Sequence, residues 1–288
     1  MAVVTTPDRP KGRGLHVEPN PVKDRADRTG VLAVAPAKLR DPELERRIDA
    51  LRPDVLVVAS YGKLIPGSWL KIPRKSGLNI HPSLLPKYRG AAPIPWQILE
   101  GERETGVTIA EVTEALDAGD ILYQLRVKLE AGDTTGSLTS RLSLLSTEAL
   151  AKVLSEIENG RVNRLPQKEE ESSYARKLSK EDGQINLSEP AEVLERKVRA
   201  FDPWPGTFIS FQGKPLRIVQ AGFDPREESR VKPGTLLEVG NEDLLRVKTG
   251  KGSLKIMRVQ LPGRQIISGK DFANGQRLKT GFVFESFQ

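Results

Sequence analysis

The chain has 288 residues, 38% of them hydrophobic, enough for one large domain or, more readily, two with buried cores. Zero cysteine and only two histidines exclude disulfides, thiolate metal centres and a histidine-rich zinc site, and no run of about 18 apolar residues offers a membrane span. Net charge is +7 with 29% charged residues, and the N-terminus lacks the basic-then-apolar order of a secretory signal, so a cytosolic protein is expected. Residues 41–51, DPELERRIDAL, open a helix with Asp41 as N-cap and Pro42 at its first position, and Leu44, Ile48 and Leu51 share one face. VLVVAS (55–60) reads as a short strand buried in a parallel sheet, and Gly77 to His81 as another. IPWQILEG is helical and stops at Gly101; TGVTIAEVT (105–113) and ILYQLRVKL (121–129) are β-branched strands. Residues 134–160 form a long amphipathic helix closed by Gly160.

This alternation argues for an α/β domain with a doubly wound parallel sheet over residues 1–163. Residues 164–182 are polar and charged and read as a linker. Beyond them the pattern changes. A short helix near 194–201 precedes alternating segments around Gly213 and around Gly250 and Gly252, which indicates a small antiparallel β-barrel over 183–288. Between Arg246 and Lys279 nine basic residues face one acid, Asp271, so this stretch alone carries +8 and points to a polyanionic partner such as nucleic acid.

Residues 76–93, SGLNIHPSLLPKYRGAAP, concentrate the chemistry. Asn79 and His81 stand two apart on a strand, so they point to one face near its C-terminal end, where open α/β sheets hold ligands. Pro82 and Pro86 stiffen the chain that follows. An amide beside an imidazole suits a developing oxyanion. A carboxylate is then needed to set the imidazole's protonation or to take a proton; Asp120 in EALDAGDIL is the first candidate and Asp117 the second. Lys87 to Gly90 read as a loop that shapes this site, with no catalytic role for Arg89. Tyr61 and Gly62 lie at the same sheet edge, either bordering a pocket or forming a plain turn. Trp204, between prolines in FDPWPGTF, reads as a packing residue rather than a stacking platform.

NIHPSLLPKYRGAAPI, then ETGVTI, then LDAGDIL resemble the folate-dependent formyltransferases, and TPDRPKGRG, RAFDPWPG and the basic β-region extend the resemblance over essentially the whole chain. The resemblance implies a Rossmann-like formyltransferase domain followed by an oligonucleotide-binding-type (OB-like) barrel. It implies Asn79, His81 and Asp120 as catalytic residues, with His81 protonated, and Ser83, Leu84, Leu85 and Pro86 at the site of 10-formyltetrahydrofolate. It implies a monomer that formylates the α-amine of initiator methionyl-tRNA without a metal, with Arg13 in the KGRG loop contacting the tRNA. A formyltransferase acting on sugar-nucleotide amines, or a non-catalytic RNA-binding relative, are the competing expectations; the basic loop and barrel weigh against the first and the intact Asn79, His81 and Asp120 against the second.

Members of that family begin with a strand, a Gly-Thr-Pro turn and a helix ahead of the segment that VVTTPDRP resembles, whereas Met1 stands here where a second strand starts. The expectation from sequence is therefore two unpaired strand edges and a 288-residue form that is unstable or inactive, to be checked by thermal unfolding and transfer assays with and without upstream residues.

Overall fold

A computed structural model of the chain describes residues 1–11, 16–18, 20–240 and 243–286. It divides into two compact units, neither contiguous in sequence: residues 1–89, 107–125 and 145–173, and residues 90–106, 126–144 and 174–288.

In the first unit the helices start where their caps dictate. Asn20 accepts from the amides of Val22 and Lys23 at the head of Pro21–Arg28, and Asp41 accepts from those of Glu43 and Leu44 at the head of Pro42–Asp49. Leu44 and Ile48 bury their face with Leu39 and Trp69, as the helical spacing requires, whereas Leu51 lies beyond the helix end and is exposed. Strands Ala2–Val4 and Leu32–Val34 pair in parallel as a two-stranded sheet. A second sheet runs in the order Val55–Ala59, Ser76–His81, Glu104–Glu111, Ile121–Lys128.

This second sheet is mixed, not all-parallel as expected: Ser76–His81 is parallel to Val55–Ala59 and antiparallel to Glu104–Glu111. Residues 82–103, which join those two strands, are long enough for either direction, so chain length alone does not set it. Strand Val55–Ala59, expected to be fully buried, is an edge strand, and Val57 is 38% exposed.

The second unit is built on a six-stranded antiparallel sheet. Strands Thr207–Phe211, Lys214–Asp224, Ser253–Gln260, Leu245–Lys248 and Leu236–Val239 follow one another, and Ile266–Ser268 also pairs with Ser253–Gln260. Its outer strands are linked by the tail through isolated bridges, Thr235 to Val283 and Ser210 to Glu285, rather than by a continuous ladder. The core is Ile209, Phe211, Leu216, Ile218, Leu254, Ile256 and their neighbours, with helix Ala191–Ala200 supplying Leu194 and Val198. Helix Pro93–Glu100, capped by Gly101 with φ +74°, packs beside helix Ala191–Ala200: a Cβ at Gly101 would lie 3.0 Å from the Arg196 guanidinium. This packing is why the compact division departs from a simple cut at residue 163.

The segment expected to be a linker is fastened down. Leu165 bridges Ile121, and Ser173 receives the Arg89 amide on its carbonyl and the Tyr88 amide on its hydroxyl. Gln167 and Ser173 tie the stretch down by hydrogen bonds, while most of its charged residues, among them Lys168, Glu170 and Lys180, stay exposed.

Candidate active site

Ser76–His81 is flanked on both sides, so its backbone is held by two ladders. Asn79 stands opposite Ala110 and His81 opposite Thr108, at the end of the strand. Both side chains reach the same carboxylate, that of Asp117. Asn79 Nδ2 donates to Asp117 Oδ1 at 2.8 Å, and His81 Nδ1 lies 3.6 Å from Asp117 Oδ2. The His81 and Asp117 side chains are only 5% and 10% exposed.

The other ring nitrogen, Nε2, lies 2.8 Å from the Tyr88 carbonyl. A carbonyl can only accept, so Nε2 carries the proton. Burial pushes the His81 pKa below its ordinary 6.5, against the opposing pull of Asp117 and of the Tyr88 carbonyl. Burial thus favours the neutral ring over the imidazolium that the family resemblance implies. Nδ1 is left with a free electron pair beside a carboxylate, placed to take up a proton and to have the resulting charge stabilised.

The carboxylate that faces Asn79 and His81 is that of Asp117, the second candidate from sequence. Asp120 was the first candidate, but its side chain makes no hydrogen bond or ion pair among the described residues; its carbonyl accepts from the Glu111 amide at 2.9 Å. Asp117 takes the position facing Asn79 and His81 because it adopts φ +52°, a left-handed conformation that aspartate tolerates and that turns its side chain back. Gly119 makes the turn possible: a Cβ there would lie 2.0 Å from the Glu111 carbonyl oxygen. Gly119→Ala is expected to destabilise the protein by about 3 kcal/mol, the upper end for overpacking against a fixed neighbour, read from urea unfolding, and to lower activity with it.

The Ser-Leu-Leu-Pro turn is held from within. Thr108 Oγ1 donates to the Ser83 carbonyl at 2.6 Å and accepts from the Leu85 amide at 3.1 Å, while Gln124 donates to the Leu85 carbonyl at 2.8 Å. Ser83 gives its hydroxyl to the Lys87 carbonyl. Ser83 and Leu85 are buried, and only Leu84 and Pro86 of the four are partly exposed. The first pair thus shapes the turn and the second pair offers surface.

Tyr61 packs against the Leu39, Leu44, Ile48 and Trp69 cluster, where burial raises its pKa and its hydroxyl has no hydrogen-bond partner among the described residues. Trp204, expected to pack between its prolines, is 49% exposed. Arg13 lies outside the described residues. The basic C-terminal stretch is partly consumed: Arg246 pairs with Asp224, Glu227 and Glu238, and buried Lys248 donates to the Glu227 carbonyl. Lys251, Arg258, Arg264, Arg277 and Lys279 remain exposed. Among the described residues no cluster of three or more histidine or acidic side chains could hold a metal ion, and no helix is long and apolar enough to cross a membrane.

Sequence reasoning missed Gln167 and the Tyr88 carbonyl. Gln167 Nε2 donates to the carbonyls of Asp117 and Gly119 at 2.8 and 2.7 Å, fixing the turn that presents Asp117. Nothing in a polar stretch marks one amide as a clamp, and a backbone carbonyl leaves no trace in sequence.

Residues 1–154 match the formyl transferase family model, and residues 177–277 match that of the formyl transferase C-terminal domain. The chain is 41% identical to a methionyl-tRNA formyltransferase of Geobacter metallireducens, covering 98% of this chain and 89% of that protein. It is 42% identical to one of Marinobacter nauticus, covering 96% and 88%. Among solved structures, an N-formyltransferase of Helicobacter canadensis, in complex with folinic acid and dTDP-3-aminofucose, superposes with a TM-score of 0.65 at 17% identity, covering 88% of this chain and 86% of that one. HypX of Aquifex aeolicus in complex with tetrahydrofolic acid superposes with a TM-score of 0.60 at 22% identity, covering 92% and 48%. These two likenesses establish the fold. With a family model spanning more than half its length and relatives aligned nearly end to end, the chain belongs to the formyl transferase family.

Proposed function

We propose that the protein transfers the formyl group of 10-formyltetrahydrofolate to the α-amine of initiator methionyl-tRNA, with Asn79, His81 and Asp117 at the reacting centre. The observation that carries the chemistry is that one buried carboxylate holds an amide donor and a neutral imidazole side by side. The substrate follows from near-full-length relatives that are methionyl-tRNA formyltransferases at 38–42% identity.

The amine nitrogen attacks the formyl carbon; a new C–N bond forms and the carbonyl oxygen becomes an oxyanion. Asn79 spends one amide N–H on Asp117 and has its second for that oxygen. A donor of this kind contributes about 3 kcal/mol to lowering the barrier. His81 Nδ1 takes the proton that the amine gives up, and Asp117, 3.6 Å away, stabilises the imidazolium. The proton then passes to folate N10 as its bond to the formyl carbon breaks and the carbonyl is restored. Leu84 and Pro86 supply apolar surface for the folate, on a turn held by Ser83 and Leu85.

The exposed Lys251, Arg258, Arg264, Arg277 and Lys279, together with Arg13, are the proposed contacts to tRNA phosphates. Binding through them weakens as salt is raised. The same reading places the protein in the cytosol, where translation initiates, acting as a monomer.

Supplying 10-formyltetrahydrofolate with either methionyl-tRNA or a dTDP-aminosugar tests the reading. Formylmethionyl-tRNA is the expected product. Formylation of the aminosugar alone would overturn the substrate, and tRNA binding without transfer to either amine would identify a non-catalytic RNA-binding relative.

A further inference from the structure

We propose that Gln167 and Arg89 are positioning residues for the Asp117 carboxylate, an inference that rests on the transfer reaction proposed above. The Gln167 amide has two ends with opposite tasks. Its Nε2 donates to the carbonyls of Asp117 and Gly119. Its Oε1 accepts from Arg89 Nε at 3.1 Å and from Arg89 Nη2 at 3.0 Å. This orientation of the amide is the one that works, since the flipped form would set a donor against the guanidinium and an acceptor against two carbonyls. Arg89 is itself 2% exposed and bonds Glu169 through Nη1 at 2.8 Å. The chain reaching Arg89 is also fixed, because the Tyr88 amide donates to the Ser173 hydroxyl and the Arg89 amide to the Ser173 carbonyl.

One clamp therefore reaches the reacting centre by two routes. Through the 117–119 turn it sets the carboxylate that faces Asn79 and His81. Through residues 88 and 89 it sets the carbonyl that accepts from His81 Nε2. The Gln167 side chain bonds the Asp117 and Gly119 carbonyls and Arg89, and the Tyr88–Arg89 backbone carries the carbonyl that meets His81, so the route to the reacting centre runs through Asp117 and Tyr88. A buried arginine needs acceptors in any case, so the Oε1 end of Gln167 alone would be satisfied by a structural role. The Nε2 end, on two carbonyls of the turn that carries Asp117, is what assigns positioning.

Gln167→Glu separates the two ends. The carboxylate still accepts from Arg89, but it places an acceptor against the Asp117 and Gly119 carbonyls and releases the turn. Formyl transfer by wild type and Gln167→Glu is measured with the full chain, 10-formyltetrahydrofolate and methionyl-tRNA, beside the imidazole signals in the NMR spectrum. The chain has two histidines, and His16→Gln assigns the pair. The expected result is a fall in kcat of about 10- to 100-fold, as misplacement of a reacting group by about an ångström gives, with KM for both substrates within about twofold. The His81 signal moves and the His16 signal does not. Asp117→Asn made on top of Gln167→Ala is expected to cost less than in the wild type, because the two residues act as a unit.

An unmoved His81 signal, or an unchanged kcat in Gln167→Glu, overturns the inference, as do additive losses in the double variant. If the wild type itself transfers no formyl group, the proposed reaction falls instead, and the ring signal alone decides the positioning role.

Discussion

Asp117→Asn is expected to lower kcat by about 10²- to 10³-fold, while Asp120→Asn leaves it within about threefold of the wild type. The two residues stand three apart in one turn, and composition alone does not separate them. Geometry does. The Asp117 carboxylate accepts from Asn79 at 2.8 Å and lies 3.6 Å from His81 Nδ1, whereas Asp120 makes its described contact through the backbone. Asparagine has the shape of aspartate and still accepts from Asn79 through Oδ1, so the turn is preserved. What it loses is the charge that stabilises an imidazolium. It also gains an N–H that can donate to Nδ1 and occupy the electron pair needed for the proton. The loss therefore falls on kcat, with KM for folate and tRNA nearly unchanged, and steady-state kinetics on the two variants read the contrast directly. Equal losses in both variants, or a larger loss for Asp120→Asn, would remove Asp117 from the reacting centre.

The elements whose signals are local are legible in the sequence. Asp41 with Pro42 announces a helix start, Gly101 a helix end, and the Asn79–His81 spacing a shared strand face, and all three stand in the structure. Non-local features are not legible. Strand direction depends on which neighbour is chosen, and the 82–103 connection between Ser76–His81 and Glu104–Glu111 is long enough for a parallel or an antiparallel pair, so a mixed sheet reads the same as a parallel one. The choice between Asp117 and Asp120 depends on one backbone conformation, φ +52° at Asp117, made feasible by the close approach of Gly119 to the Glu111 carbonyl. Gln167 is invisible for a different reason: its role exists only through the carbonyls it meets, 50 and 48 residues away in the chain. Charge counts also mislead, since Arg246 and Lys248 contribute to the +8 of the tail yet are engaged inside their own unit.

His81→Ala is expected to remove formyl transfer by about 10³-fold or more, because the ring serves as proton acceptor and then donor, each step general acid–base in kind. Binding of tRNA, measured by filter retention, stays within about twofold, since the exposed basic side chains of the second unit are untouched. The same buried ring makes stability depend on pH. Its folded-state pKa lies below the ordinary 6.5, with burial the largest cause. The unfolded chain therefore binds more protons than the folded one as pH falls through that window, and stability rises with pH. The contribution is whole above pH 6.5 and is lost as acid reaches the lower folded-state value. Thermal midpoints of the wild type should fall more steeply between neutrality and mild acid than those of His81→Gln, which keeps a polar group in the site but no titrating ring. Parallel curves would mean that folding does not shift the His81 pKa, and a wild type that gains stability towards acid relative to His81→Gln would mean that the imidazole is held charged, with no vacant electron pair at Nδ1 to use. Retained transfer in His81→Ala would move the proton relay elsewhere, even if the pH dependence came out as argued.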